Sequence, residues 1–193
     1  MIGEIEAALI ARVAAVNGMA PGQLGYRLAT IGSYGGQYDE SLSQAQPAFP
    51  AVWFALDSDE FARDQGNVHV WQPRWTVLCA TRSLRNEQAR RQGAAGEVGT
   101  YQLVQDLRRL LVGQTLGLPI DPIRATRISA VHTGALKGQP VAVYGLHLVT
   151  AYNVAVGGDD GQAVSDDPLI FINTEWDDGT PRCVASLTLE QAP

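Results

Sequence analysis

The stretch Val98–Gly113, VGTYQLVQDLRRLLVG, constrains the fold more than any other part of the chain. Its large apolar residues recur at spacings of three and four, which places them on one stripe of an α-helix. They are Leu103, Val104, Leu107, Leu110 and Leu111. Burying each such side chain is worth roughly 1.5–3 kcal/mol before the entropy cost. A helix with one apolar stripe needs a flat apolar partner, and the strands predicted on either side of it supply one.

The ends of this helix have recognisable signals. Thr100 is the predicted N-cap, because its hydroxyl can accept a hydrogen bond from a free amide of the first turn. Arg108 and Arg109 fall in the last turn, where positive charge suits the helix dipole. Gly113 is placed to close the helix in a left-handed conformation.

A second amphipathic helix is predicted from Ile2 to Val16. Its apolar stripe consists of Ile2, Ile5, Leu9, Val13 and Val16. Asn17-Gly18 stops this helix, and Pro21 prevents its resumption. A membrane-surface helix would need basic residues beside the apolar stripe, and only Arg12 is present. We therefore expect a helix that packs on the core.

Five strands are predicted from β-branched, aromatic and alternating apolar residues. They are Tyr26–Tyr34, Ala51–Leu56, Val68–Thr81, Ile123–Val131 and Pro140–Val156. The acidic run Asp57-Ser58-Asp59-Glu60 is expected to end the second strand. A short turn over Gly134–Gln139 predicts that the last two strands form an antiparallel hairpin.

Two connections are long enough to have a role of their own. One is the loop Gly35–Pro50, which is rich in Gly, Gln, Ser and Pro. The other is Leu84–Gly99, where Gly93, Gly96 and Gly99 favour a flexible connection into the main helix. Thr115–Pro122 is predicted to be a loop.

The C-terminal part differs in composition. Gly157–Pro168 is acidic and rich in glycine, and is interpreted as a linker. Leu169–Asn173 and Arg182–Leu189 are predicted to be two short strands around the turn Trp176–Pro181. Since a lone hairpin is marginally stable in water, this hairpin should add to the main sheet or to a neighbouring subunit.

These elements predict an α+β fold with an antiparallel or mixed β-sheet, two amphipathic helices packed on one face, and a C-terminal β-hairpin extension. We expect two parts, residues 1–156 and 157–193. A chain of 193 residues that is 46% hydrophobic can fill a core of this size. The net charge of −6 argues against a general nucleic-acid-binding protein. Two cysteines favour a reducing compartment, and we expect neither a signal peptide nor a membrane span.

The sequence nominates no catalytic, cofactor-binding or metal-binding residue. Ile31-Gly32-Ser33-Tyr34-Gly35 resembles the nucleophile elbow G-x-S-x-G but has Ile at the first glycine position. The potential soft ligands show no paired zinc spacing, and they are His69, His132, His147, Cys79 and Cys183. His69 and His147 lie within predicted strands, where a structural histidine is the expectation.

The charged clusters are also interpreted as structural. Four acidic turns are expected to be solvated and not to bind calcium; they are Asp57–Glu60, Asp159-Asp160, Asp166-Asp167 and Asp177-Asp178. One group of arginines is interpreted as part of a solvated face, in preference to a contact surface for an acidic partner or nucleic acid. This group consists of Arg82, Arg85, Arg90 and Arg91.

Three pieces of the chain carry a family resemblance: Phe49-Pro50-Ala51-Val52, Thr81-Arg82-Ser83 and Gly99–Leu118. With the N-terminal helix IEAALIARV and the closing hairpin, residues Ile2 to Val156 resemble the Mu-like bacteriophage family of small neck proteins identified with tail terminators. The residues after Gly157 lie outside this resemblance.

The resemblance implies a non-enzymatic structural role. Terminators of this class are similar in forming a ring, commonly a homohexamer, that caps the tail tube, stops its polymerisation and provides the docking face for the head. The implied partners are other copies of the chain, the tail tube and sheath proteins, and the head–tail connector. DNA would pass through the ring without specific binding, and an acidic protein suits that passage. The location implied is the tail or neck of a virion, assembled in the host cytoplasm.

Two alternatives stay open at this stage. One is a head-completion or minor tail protein of the same kind of particle. The other is a small-molecule-binding or enzymatic α+β domain that uses Gly35–Pro50 as a lid. In the terminator interpretation, Gly35–Pro50 and Leu84–Gly99 are the candidate segments that face the tube or a neighbouring copy.

Overall fold

A computed structural model describes residues 1–18, 24–35, 48–82, 91–94, 97–131, 140–156, 173–177 and 180–184. The chain divides into two compact units, Met1–Val154 and Ala155–Pro193. As far as residue 155 the elements are α1 (Ile2–Gly18), β1 (Thr30–Ser33), β2 (Ala51–Gln65), β3 (Val68–Arg82), β4 (Gly93–Ala94), β5 (Glu97–Val98), α2 (Thr100–Leu111), β6 (Arg124–Ala130), β7 (Val141–Val149) and β8 (Tyr152–Ala155). The second unit contains β9 (Asn173–Asp177) and β10 (Thr180–Val184). The predictions for Gly134–Gln139, Gly157–Pro168 and most of Gly35–Pro50 and Leu84–Gly99 lie outside the described residues.

The first unit is built on a six-stranded mixed sheet with the order β1-β2-β3-β7-β6, in which β8 also pairs with β3. The β1–β2 pair is parallel. The β2–β3, β3–β7 and β6–β7 pairs are antiparallel. The predicted α+β class with a mixed sheet is confirmed, as is the β6–β7 hairpin.

Both helices lie on one face of this sheet, as their apolar stripes predicted. Helix α1 contacts β1 and β2, whereas α2 contacts β3, β7 and α1. The buried residues of the two stripes are Ile5, Leu9, Val13, Val16, Leu103, Val104, Leu107 and Leu111. The strands place Phe54, Trp75, Val77, Cys79, Leu146 and Leu148 in the same core. Leu110 is half-buried at the edge of this core.

The predicted N-cap of α2 is wrong. The N-cap residue is Gly99, in an extended conformation, and no side chain caps the helix there. Thr100 is instead completely buried, with its hydroxyl oxygen 2.6 Å from that of Thr81. This contact with β3 holds Thr100 inside the first turn. At the other end, Gly113 adopts the predicted left-handed conformation with φ of 80°, and its N–H donates to the carbonyl of Ile123 at 2.8 Å.

Strand β2 is longer than predicted. Asp57-Ser58-Asp59-Glu60 does not end it, because the strand continues to Gln65 through a register shift between Leu56 and Ser58. Here Asp57 accepts a hydrogen bond from Thr76 of β3 at 2.6 Å, so the ladder continues.

Two other predicted strands differ in extent. Of Tyr26–Tyr34, only Thr30–Ser33 is a strand. Upstream, the Asn17 side chain bonds both the N–H and the carbonyl of Leu28, at 2.7 and 3.0 Å, and occupies groups that a ladder would use. The predicted strand Pro140–Val156 forms two strands, β7 and β8. Thr150 lies between them and donates its hydroxyl to the carbonyl of Asp121.

In the second unit, β9 and β10 form an antiparallel two-stranded sheet of their own. The predicted C-terminal hairpin is therefore present, and residues 169–172 and 185–189 of its two predicted strands lie outside the described residues. Part of the predicted turn Trp176–Pro181 belongs to the strands, because Asp177 pairs with Thr180.

Candidate functional site

A polar cluster of the first unit lies on the sheet face turned away from α1 and α2, which we call the outer face. Its centre is His147 on β7. Thr76 of β3 and Arg127 of β6 are its direct cross-strand neighbours. In the adjacent row, Val149 of β7 lies between Arg74 and Arg124. One row across these three strands is thus polar throughout, and the next has an arginine on each side of Val149.

Both ring nitrogens of His147 have hydrogen-bond partners. The Thr76 hydroxyl donates to Asp57 Oδ2 at 2.6 Å, so its oxygen accepts from His147 Nδ1–H at 2.9 Å. The Nε2 atom is hydrogen-bonded to the Ser129 hydroxyl at 2.8 Å. Arg127 Nη2 lies 3.4 Å from the same Nε2 atom. The Thr76 and Ser129 hydroxyls thus hold the imidazole ring from both sides.

Gly145 makes room for this ring. A Cβ atom at this position would lie 3.1 Å from Thr76 Cγ2, 3.5 Å from His147 Nε2 and 3.7 Å from Ser129 Oγ. A side chain there would press into the space between Thr76 and Ser129, which the imidazole uses. The absence of a side chain at position 145 is therefore part of the site.

A cavity of about 580 Å³ opens beside the cluster. Its lining residues are Asp57, Arg74, Thr126, Arg127, His147 and Leu148. The sequence analysis did not bring these residues together, because they come from β2, β3, β6 and β7. The sequence did contain one indication of the cluster: each of these strands has a polar residue at an outward-facing position, such as His147 in an otherwise apolar run.

The geometry of the cluster is that of a structural network more than that of a hydrolase. Ser129 and His147 are as close as a nucleophile and its base. However, the Thr76 hydroxyl lies between the imidazole and Asp57, whose Oδ2 is 3.7 Å from Nδ1. Strand β7 lies between β3 and β6, so its N–H groups belong to the two ladders and do not converge on a reacting atom. The cluster links four strands and leaves arginine side chains at a cavity.

Other candidate residues from the sequence make contacts outside the His147 cluster. Ser33, of the elbow-like pentapeptide, donates to Glu6 of α1 at 2.6 Å. His69 lies 3.0 Å from Asp64 and packs edge-on against Phe61. His132, Arg85 and Arg90 lie outside the described residues.

The acidic run on β2 is not a solvated turn, so that interpretation is wrong here. Asp59 accepts from the Tyr152 hydroxyl at 2.6 Å, and Glu60 lies 3.5 Å from Arg74. Burial, together with the hydrogen bond to Asp59, raises the pKa of Tyr152 to about 12. Within the described ranges, no group of three or more His, Cys, Asp and Glu residues could hold a metal ion.

The distal part of the β2–β3 hairpin is a second exposed feature. Pairing of β3 with β7 ends at Arg74, whereas β2 and β3 remain paired as far as Gln65 and Val68. On this part, Phe61 is 48% exposed and packs edge-on against Trp71. Strand β8 also pairs with β3, and exposed aromatic residues such as Phe61 are typical of assembly contacts.

No helix among the described residues has the length and hydropathy needed to span a membrane. A family model described as "Bacteriophage Mu, Gp37" matches residues 1–153. No curated protein shows significant similarity to the chain.

Proposed function

We propose a role as a tail terminator from one premise: the chain belongs to the Bacteriophage Mu, Gp37 family. That membership makes it a structural protein of a bacteriophage particle. In the proposal, copies of the chain close into a ring, commonly of six, at the head-proximal end of the tail tube. The ring stops tube polymerisation and provides the face on which the head–tail connector docks.

The family match is the observation that carries this proposal. The fold is compatible with it, because α1 and α2 cover one face of the sheet, and within the described part of the chain β6 is an edge strand and Phe61 of the distal β2–β3 hairpin is exposed. A head-to-tail contact between copies closes into a ring when its rotation permits. The net charge of −6 also suits a channel through which DNA passes without binding.

Electron microscopy of particles from a phage lacking this gene tests the role. We expect tails of irregular, excessive length that are not joined to heads, and normal particles when the wild-type gene is supplied in trans. Tails of normal length joined to heads would reject the terminator role. Tails of normal length without heads would instead indicate a head-completion protein.

A small-molecule or enzymatic role is the second candidate, and the cavity beside His147 is the observation that favours it. Complementation with His147→Gln and Ser129→Ala separates the two roles. A terminator needs neither side chain for chemistry, so both variants should restore tail length as far as they fold. Stable, folded variants that fail to support growth although they cap tails would favour the enzymatic role.

A further inference from the structure

We propose that β9 of one copy pairs with the exposed edge of β6 in the neighbouring copy of the ring, which brings Glu175 and Asp177 opposite Arg124 and Arg127. The inference rests on the proposed ring and names the contact that closes it. The C-terminal unit that supplies β9 begins at Ala155, beyond the residues that match the family model.

The acceptor is the edge of the main sheet. Strand β6 is the last strand of the sheet order, and it pairs with β7 on one side. Six of its seven residues are exposed and the other, Ser129, is half-buried. Because an edge strand of this length presents a row of unpaired backbone groups, it is a template for another strand.

The donor is the hairpin of the C-terminal unit. Among the described residues, β9 and β10 pair with each other in a sheet of two strands. A two-stranded hairpin is marginally stable in water and gains from a third strand. Of its two edges, β9 is the better donor, because β10 contains Pro181, which lacks a backbone N–H.

The charges of the two parts are complementary. Residues 155–193 contain eight acidic residues and one basic residue, a net charge of −7. Residues 1–154 contain twelve acidic and thirteen basic residues, a net charge of +1. The acidic character of the protein therefore resides in the C-terminal unit, and attraction between this unit and a basic edge favours association.

The spacing of the charged residues matches as well. Arg124 and Arg127 pair with Val149 and His147, so a register shift between Ala125 and Arg127 places both arginines on one face, two ladder positions apart. Glu175 and Asp177 are also two positions apart, on one face of β9. The two pairs can therefore meet in either strand direction. Within the described residues, neither arginine has a carboxylate within 4.0 Å.

The test uses full-length alleles supplied in trans to the phage lacking the gene. One allele carries Arg124→Glu and Arg127→Glu, a second carries Glu175→Arg and Asp177→Arg, and a third carries all four changes. Opposed like charges should weaken each contact roughly tenfold or more. We therefore expect long, headless tails with either double variant and normal tails with the third allele, in which the charges are exchanged.

The third allele is also the control for folding, since it contains every substitution of the other two. If the three mutant alleles cap tails as well as the wild type does, the inference is overturned. It is also overturned if both double variants fail and the fourfold variant does not restore capping. Neither result affects the terminator role, which fails only if the deletion itself leaves tail length and head attachment normal. Failure of the arginine variant alone would mean that the β6 edge binds a different partner, and it would also overturn the inference.

Discussion

Replacing Asn17 with Ala should destabilise the first unit although the residue lies at the end of a helix. The Asn17 amide bonds both the N–H and the carbonyl of Leu28, which is 4% exposed. A buried polar group left without its partner costs about 1–3 kcal/mol. Because two backbone groups lose their partner and the site is partly open to water, we expect a loss of about 2–3 kcal/mol in the free energy of unfolding. Ala gains roughly 0.5 kcal/mol in helix propensity, which offsets part of this loss.

Urea unfolding followed by tryptophan fluorescence measures this change, because Trp53 and Trp75 are both buried. The midpoint should fall with an unchanged slope. Arg12→Ala, at an exposed position of the same helix, is the matched control, and its effect should remain within about 0.5 kcal/mol. Asn17→Asp keeps the acceptor for the N–H of Leu28 and should give an intermediate loss. If Asn17→Ala is no more destabilising than the control, the clamp on Leu28 does not contribute to stability.

Three further predictions concern the same unit. Leu107→Ala, at a completely buried position, should lower the free energy of unfolding by about 2–5 kcal/mol, as measured by calorimetry. The control, Gln105→Ala at an exposed position of the same helix, should lower it by about 0.5 kcal/mol or less. Similar values for the two variants would contradict the packing of α2. Gly99→Ala should lower the melting temperature, because its Cβ would lie 2.2 Å from the backbone nitrogen of Gly93. The control, Gly3→Ala, should raise it, because Gly3 lies within α1 with nothing within 4 Å of its Cβ position, and Ala favours a helix over Gly. The opposite order would refute the close approach at Gly99. In alkaline unfolding, the folded pKa of Tyr152, about 12, exceeds the unfolded value of 10, so the folded state retains the proton and stability falls as the pH rises from 10 to 12. Tyr152→Phe should reduce this loss, and an unchanged pH dependence would contradict it.

The periodic features of the chain could be predicted from the sequence. The stripe through Leu103 and Leu107 in α2 and the stripe through Ile5 and Leu9 in α1 are both buried. The alternation of β7 likewise predicts which of its residues face the helices, with Leu146 in the main core. These features are local: the spacing of apolar residues along a helix or strand decides its buried face without reference to the rest of the chain.

The candidate site and the strand limits were decided by tertiary structure. Whether the acidic run after Leu56 ends a strand depends on Thr76, which accommodates Asp57 across the ladder. His147 meets Thr76 from 71 residues away, and neither residue carries a local signal of the other. The glycines of the connection before α2 predicted flexibility, but Gly93 and Gly99 pack backbone against backbone.

The sequence by itself therefore determined which surfaces of the elements are apolar, and with them an α+β fold with the helices on one face of the sheet. The tertiary structure decided the order of the strands, and hence that β6 lies at the edge with Arg124 and Arg127 exposed. The physical reason is that apolar periodicity is written into neighbouring residues, whereas hydrogen bonds and sheet edges depend on partners distant in the chain.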